Sequence, residues 1–168
     1  MPSPGRGAAT RRPGTRTERT GQSGRQRVIR HRPGTGVGPS RHTVLDSDSE
    51  TPVRARRVCR RYLRQLVPPV VGRAADDVEL VVSELVTNVV RHAHSATCML
   101  SLDARPDAVE VTVVDSDPTP PCSRLPDLSG QAGGFGWSMV RRLAKRVTVV
   151  PVPSGKAVCV LMPRPAPA

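Results

Sequence analysis

One change of rhythm constrains this chain more than any other feature. Over residues 75–93 the apolar positions Val78, Val82, Leu85, Val86 and Val89 recur every three or four residues, and from Cys98 onward they recur every two. The first spacing lays a wide apolar stripe along one side of a helix, and the second puts apolar side chains on one face of a strand. A stripe of that width needs a sheet or another helix to cover it, so the chain must fold as helix and sheet around a shared core.

The helix, read as Ala75 to Ala93, opens with Asp76, Asp77 and Glu79 and closes with Arg91 and His92, as the helix dipole favours. Before it, Val58, Tyr62 and Leu66 recur every four residues in a helix read from Pro52 to about Val67. Thr51 is the expected cap, Pro52 takes the first helical position, and Pro68 and Pro69 end the helix. Arg54, Arg57, Arg60, Arg61 and Arg64 fall outside the stripe. After Cys98, Leu100 and Leu102, the turn Arg105-Pro106-Asp107 leads into Val109, Val111 and Val113, which predicts a hairpin. His42 to Leu45 is a short first strand. Residues 116–134 carry Pro118, Pro120, Pro121 and Pro126 without any period, a loop of nearly twenty residues that compact domains seldom keep without a purpose. A helix from Phe135 to about Arg146 follows, then strands Val147–Val152 and Ala157–Met162 joined through Pro153-Ser154-Gly155. The expected fold is α+β, a two-layer sandwich of one mostly antiparallel sheet with helices packed on one face.

Charge divides the chain unevenly. Of the net +12, residues 1–45 hold +9, from ten Arg, no Lys and the single acid Glu18. A leader over 1–41 with so few apolar side chains cannot offset its ordering entropy and is expected to be disordered. Two readings of it stay open, a tether for nucleic acid or an acidic partner and a composition-biased tail without a role. The domain is then read as 42–163, with a short tail over 164–168. No apolar run approaches the roughly 20 residues that cross a bilayer, and no signal peptide follows the N-terminus, so a cytoplasmic location is expected. Cys59, Cys98, Cys122 and Cys159 stand singly and read as reduced, mostly buried thiols.

Three signals carry chemistry, in order. Glu84 and Asn88 lie four apart and project from one face of the predicted helix among Val81, Leu85 and Val89. On spacing alone they are either a solvated pair at the edge of the stripe or a carboxylate and amide suited to a hard cation and its phosphates. Asp115 ends the second hairpin strand, where a carboxylate can accept a hydrogen bond from an exocyclic amino group. Gly133-Gly134-Phe135-Gly136 opens the next helix, where glycines let backbone amides approach phosphate and the helix dipole favours the negative charge.

With these signals in place, the segment from about 42 to 162 resembles the ATP-binding domain of gyrase B, histidine kinases and MutL, the Bergerat or GHKL fold. Glu84-Leu-Val-Thr-Asn88 resembles its N box, Asp115 its adenine-contacting aspartate, and Gly134-Phe135-Gly136 its second glycine box. The small size is most similar to the stand-alone anti-sigma factor serine/threonine kinases of actinobacteria, the RsbW and SpoIIAB type. The resemblance implies ATP and Mg2+ as ligands, a sigma factor and an anti-anti-sigma (STAS-type) protein as partners, and a homodimer as an option. It implies Asn88 as magnesium ligand and Glu84 as the residue that orients or deprotonates the attacking hydroxyl. Asp115 would select adenine. Gly133, Gly134 and Gly136 would line the phosphates beneath a lid formed by residues 116–133, with Arg91 and His92 approaching the phosphates or the lid. Gly155 and Lys156 match the family's terminal strand only loosely. Asp115-Ser116-Asp117-Pro118 departs from the family's first glycine box, and Trp137 stands where a small aliphatic residue is common. The alternative reading is a silent module that binds ATP or a partner without turnover.

Other chemistries lack support. Gly155-Lys156 has no P-loop context. His92-Ala93-His94 has no third ligand, Ser83 and Ser138 lack a triad, and one residue each of Phe, Tyr and Trp makes no stacking platform for single strands.

Overall fold

The computed structural model describes residues 38–92, 96–119 and 135–164. Readings that fall elsewhere, namely most of the leader, His94, Cys122, most of the proposed lid with Gly133 and Gly134, and the tail from 165, lie outside the described residues.

The element order is β1 (Ser40–Asp46), α1 (Thr51–Gln65), α2 (Gly72–His92), β2 (Thr97–Ala104), β3 (Ala108–Asp115), α3 (Phe135–Leu143), β4 (Arg146–Val152) and β5 (Gly155–Pro163). The five strands form one sheet in the order β1-β2-β3-β5-β4, and every neighbouring pair is antiparallel. The expected α+β sandwich is therefore the observed fold.

Register places the apolar alternation on one face. Leu100 pairs with Val113 and Leu102 with Val111 across β2 and β3, while Val113 pairs with Val158 and Val111 with Val160 across β3 and β5. These side chains share a core with Val78, Val81, Val82, Leu85, Val86 and Val89 of α2 and with Cys59, Tyr62 and Leu63 of α1. The valines, stiff at χ1, suit both the pleated surface and the helix stripe that lies on it. Trp137 packs against this core, partly buried.

Local chemistry departs from the expected boundaries at several ends. Helix α1 begins one residue early, with Glu50 as its cap and no side-chain capping bond. Thr51, fully buried, is not the cap. Its hydroxyl donates to the Asp46 carbonyl and accepts from Asp48 N at 2.8 Å, so it ties the helix to the end of β1. Helix α2 starts at Gly72, whose φ of +60° turns the chain into the helix. The first turn consequently holds no acid, and Glu79 serves a different end. It is 7% exposed and accepts two hydrogen bonds from Arg60, at 2.9 Å from Nε and 2.6 Å from Nη2. This bidentate pair couples α1 to α2. Helix α3 stops at Leu143, and Arg146 already belongs to β4. Strand β1 starts at Ser40, two residues before the expected strand. The Tyr62 hydroxyl donates to the Pro39 carbonyl at 2.6 Å, so the ordered domain takes in residues assigned to the leader.

Candidate functional site

Helix α2 presents Glu84 and Asn88 at the margin of its buried stripe. Both are half-buried, with Val81, Leu85 and Val89 buried beside them. Among the described residues neither side chain has a hydrogen-bond or ion-pair partner. A half-buried carboxylate and amide with no partner among the described residues are candidates to meet a ligand.

Gly136, in the first turn of α3, lies against Glu84. A Cβ built on Gly136 would run into Glu84 Oε2 and stand 3.0 Å from Cδ. The missing side chain thus lets the Glu84 carboxylate pack against the start of α3, and Val140, fully buried one turn later, anchors α3 in the core. Helix N-termini direct backbone N–H groups and a positive dipole end outward, so the start of α3 favours the Glu84 carboxylate that lies against it.

A second cluster gathers where β3 and β5 meet the end of α2. Asp115 closes β3, 6% exposed, directly across from Lys156 in the register. Its Oδ1 accepts from Asp117 N at 2.8 Å and from Lys156 Nζ at 2.9 Å. Lys156 also donates to the Asp117 carbonyl at 2.7 Å. Gly155 makes this approach possible: its φ is +141°, and a Cβ there would strike the Asp115 carbonyl. Asp117 is held below the usual carboxylate range first by hydrogen bonds from Thr119, and the Lys156 and His92 charges act in the same direction. His92, the last residue of α2, is thereby placed near this cluster. Arg91 is exposed, and no contact among the described residues ties it there.

Glu84, Asn88 and Gly136 therefore gather along α2 and α3, while Asp115, Asp117 and His92 gather at the strand ends. Lys156 and Glu79 have partners that the sequence does not announce, Asp115 for the first and Arg60 for the second. The hairpin turn Pro153-Ser154-Gly155 was the available signal for the first, because it fixes which residue of β5 faces Asp115. Nothing local marks Glu79 as the partner of Arg60. Between α1 and α2 a groove of about 420 Å³ is lined by Val53, Arg56, Arg57, Arg60, Asp76 and Leu80. Among the described residues no group of three or more His, Cys, Asp or Glu could hold a metal, and no helix is long and apolar enough to cross a membrane.

An antiparallel five-stranded sheet with helices on one face, a helix carrying Glu84 and Asn88 four residues apart, a strand-end aspartate and a glycine-opened helix define a domain of the GHKL ATPase class. Residues 45–162 match the histidine kinase-like ATPase domain family, and the chain belongs to it. Membership of a family of ATPase domains implies a site for ATP. Among curated proteins no relative matches the chain.

Proposed function

We propose that the domain binds ATP with Mg2+ and acts as a serine/threonine protein kinase of the anti-sigma type, transferring the terminal phosphate to a serine of an anti-anti-sigma partner. The observation that supports this best is the contact between Glu84 and Gly136, which brings a carboxylate with no side-chain partner among the described residues to the start of α3. The residues fit the nucleotide: Glu84 and Asn88 have no side-chain partner among the described residues, and Asp115 offers a fixed, nearly buried acceptor at the strand end.

In this reading ATP supplies an activated phosphoryl group, and catalysis is mostly positioning and charge neutralisation. Asp115 accepts from the exocyclic amino group of the base. Asn88 would hold the cation through its amide oxygen, and the cation would neutralise charge on the phosphates. Glu84, poised beside Gly136, accepts the proton of the attacking serine hydroxyl. Arg91 and His92, at the end of α2, would approach the phosphates in this reading. The protein partners are the sigma factor and the anti-anti-sigma protein, met in the cytoplasm. The exposed arginines Arg56, Arg57, Arg61 and Arg64 along α1, with no acid in the helix, support an acidic partner surface.

Titration of the protein with ATP and Mg2+, read by Trp137 fluorescence and by calorimetry, tests the reading. Saturable binding that is lost in Asp115→Asn supports it, and Glu84→Ala should then keep ATP binding while losing phosphotransfer to a partner. No binding up to millimolar ATP by either method would remove the kinase reading.

A further inference from the structure

The pairing of Lys156 with Asp115 does more than hold a hairpin together. In the core-facing rows that contain these two residues, every neighbour toward the middle of the sheet is apolar: Val113, Val111 and Val109 on β3, and Val158, Val160 and Met162 on β5. A buried ion pair in such a row gains little over two packed apolar side chains, because desolvation offsets the attraction. Stability alone therefore does not account for a lysine whose side chain is 9% exposed against an aspartate at 5%.

The hydrogen bonds show what the pair leaves available. An ammonium has three donors. Two of those of Lys156 are spent, on Asp115 Oδ1 at 2.9 Å and on the Asp117 carbonyl at 2.7 Å, while Asp117 Oδ2 stands 3.8 Å away, beyond hydrogen-bond range. Among the described residues both bonds to the Asp115 carboxylate fall on Oδ1. Among the described residues one N–H donor of Lys156 and one oxygen of Asp115 thus remain at the strand ends, on side chains tied to the Asp117 backbone. An adjacent acceptor and donor complement a purine edge that carries an amino group beside an unprotonated ring nitrogen.

We propose that Lys156 is a second base-reading residue, donating to the N1 ring nitrogen of adenine while Asp115 accepts from the 6-amino group. The inference rests on the ATP reading and extends it. A charged donor held by two other bonds loses little freedom when it meets the base, so it reads N1 more strongly than a mobile water would.

The test is calorimetry of the full chain with ATP and with 1-deaza-ATP, which replaces N1 by C–H and keeps the amino group. Wild type should bind ATP at least about tenfold more tightly than the analogue, the range for a hydrogen bond to a charged group. In Lys156→Met, checked for a native circular dichroism spectrum, ATP affinity should fall toward that of the analogue and the preference should shrink below about threefold. A lysine that only braced the hairpin would lower affinity for both nucleotides alike and leave the preference intact, which would overturn the inference. Equal binding of the two nucleotides by wild type overturns it without any variant, should Lys156→Met fail to fold. Failure of wild type to bind ATP at all removes the underlying ATP reading, a different result from binding without discrimination.

Discussion

Gly136 touches Glu84 so closely that a Cβ at 136 would enter the carboxylate. In most helices Gly→Ala is stabilising by about 1 kcal/mol. Here the added methyl must push the end of the Glu84 side chain aside. Gly136→Ala should leave overall stability within about 0.5 kcal/mol of wild type, because a flexible carboxylate can move, and should weaken phosphotransfer at least about tenfold. In a Glu84→Ala background the same substitution should be stabilising by up to about 1 kcal/mol. Thermal denaturation of the four proteins checks the coupling, and additivity would argue against the contact.

Gly155 serves a different approach. Its φ of +141° and the Asp115 carbonyl in the place a Cβ would take exclude a side chain. Gly155→Ala is expected to be destabilising by about 2 kcal/mol or more, as strain adds to the clash. It should also lower ATP affinity by displacing Lys156 from Asp115. Urea denaturation alongside nucleotide titration measures both, and a neutral substitution would contradict the geometry.

Val140 is fully buried on the short helix α3. Val140→Ala removes two methyl groups' worth of packing and should destabilise by about 2 kcal/mol, with a further contribution from the cavity. Hydrogen exchange in α3 should rise more than in α2. Equal protection of the two helices would show that α3 is held by something other than Val140.

Burial pushes the Cys59 thiol from its ordinary 9.0 up to about 12, and the Glu79 charge adds to the effect. The folded state favours the neutral thiol, so this contribution to stability is complete below pH 9 and is lost as pH rises toward 12. The stability difference between wild type and Cys59→Ala should therefore narrow between pH 8.5 and pH 11 by urea unfolding. A difference unchanged across that window would refute the shift. At pH 8 the native thiol should resist alkylation.

Much of the architecture was legible because it is local. The stripe Val78, Val82, Leu85, Val86, Val89 and the alternation of Val109, Val111 and Val113 are direct consequences of backbone repeat, and the structure buries all of them. Helix ends were less legible. Thr51 looks like a cap, yet its hydroxyl bonds back to Asp46, which no helix rule foresees. Asp76, Asp77 and Glu79 look like first-turn acids, yet a glycine start at residue 72 moves them inward. Glu84, Asn88, Asp115 and Gly136 were readable as types in order along the chain, although their order cannot say which of them touch.

Residue spacing was enough to specify the helices, the strands, the shared core and the residue types of a nucleotide site, since each depends on neighbours within a turn or two. Contacts between elements required the assembled sheet. The register of β3 against β5 sets Lys156 on Asp115, 41 residues apart. The docking of α3 sets Gly136 on Glu84, and the packing of α1 on α2 sets Arg60 on Glu79, 19 residues apart. Such pairs depend on strand registry and helix docking, and those follow from burying the whole core at once rather than from any local run of residues.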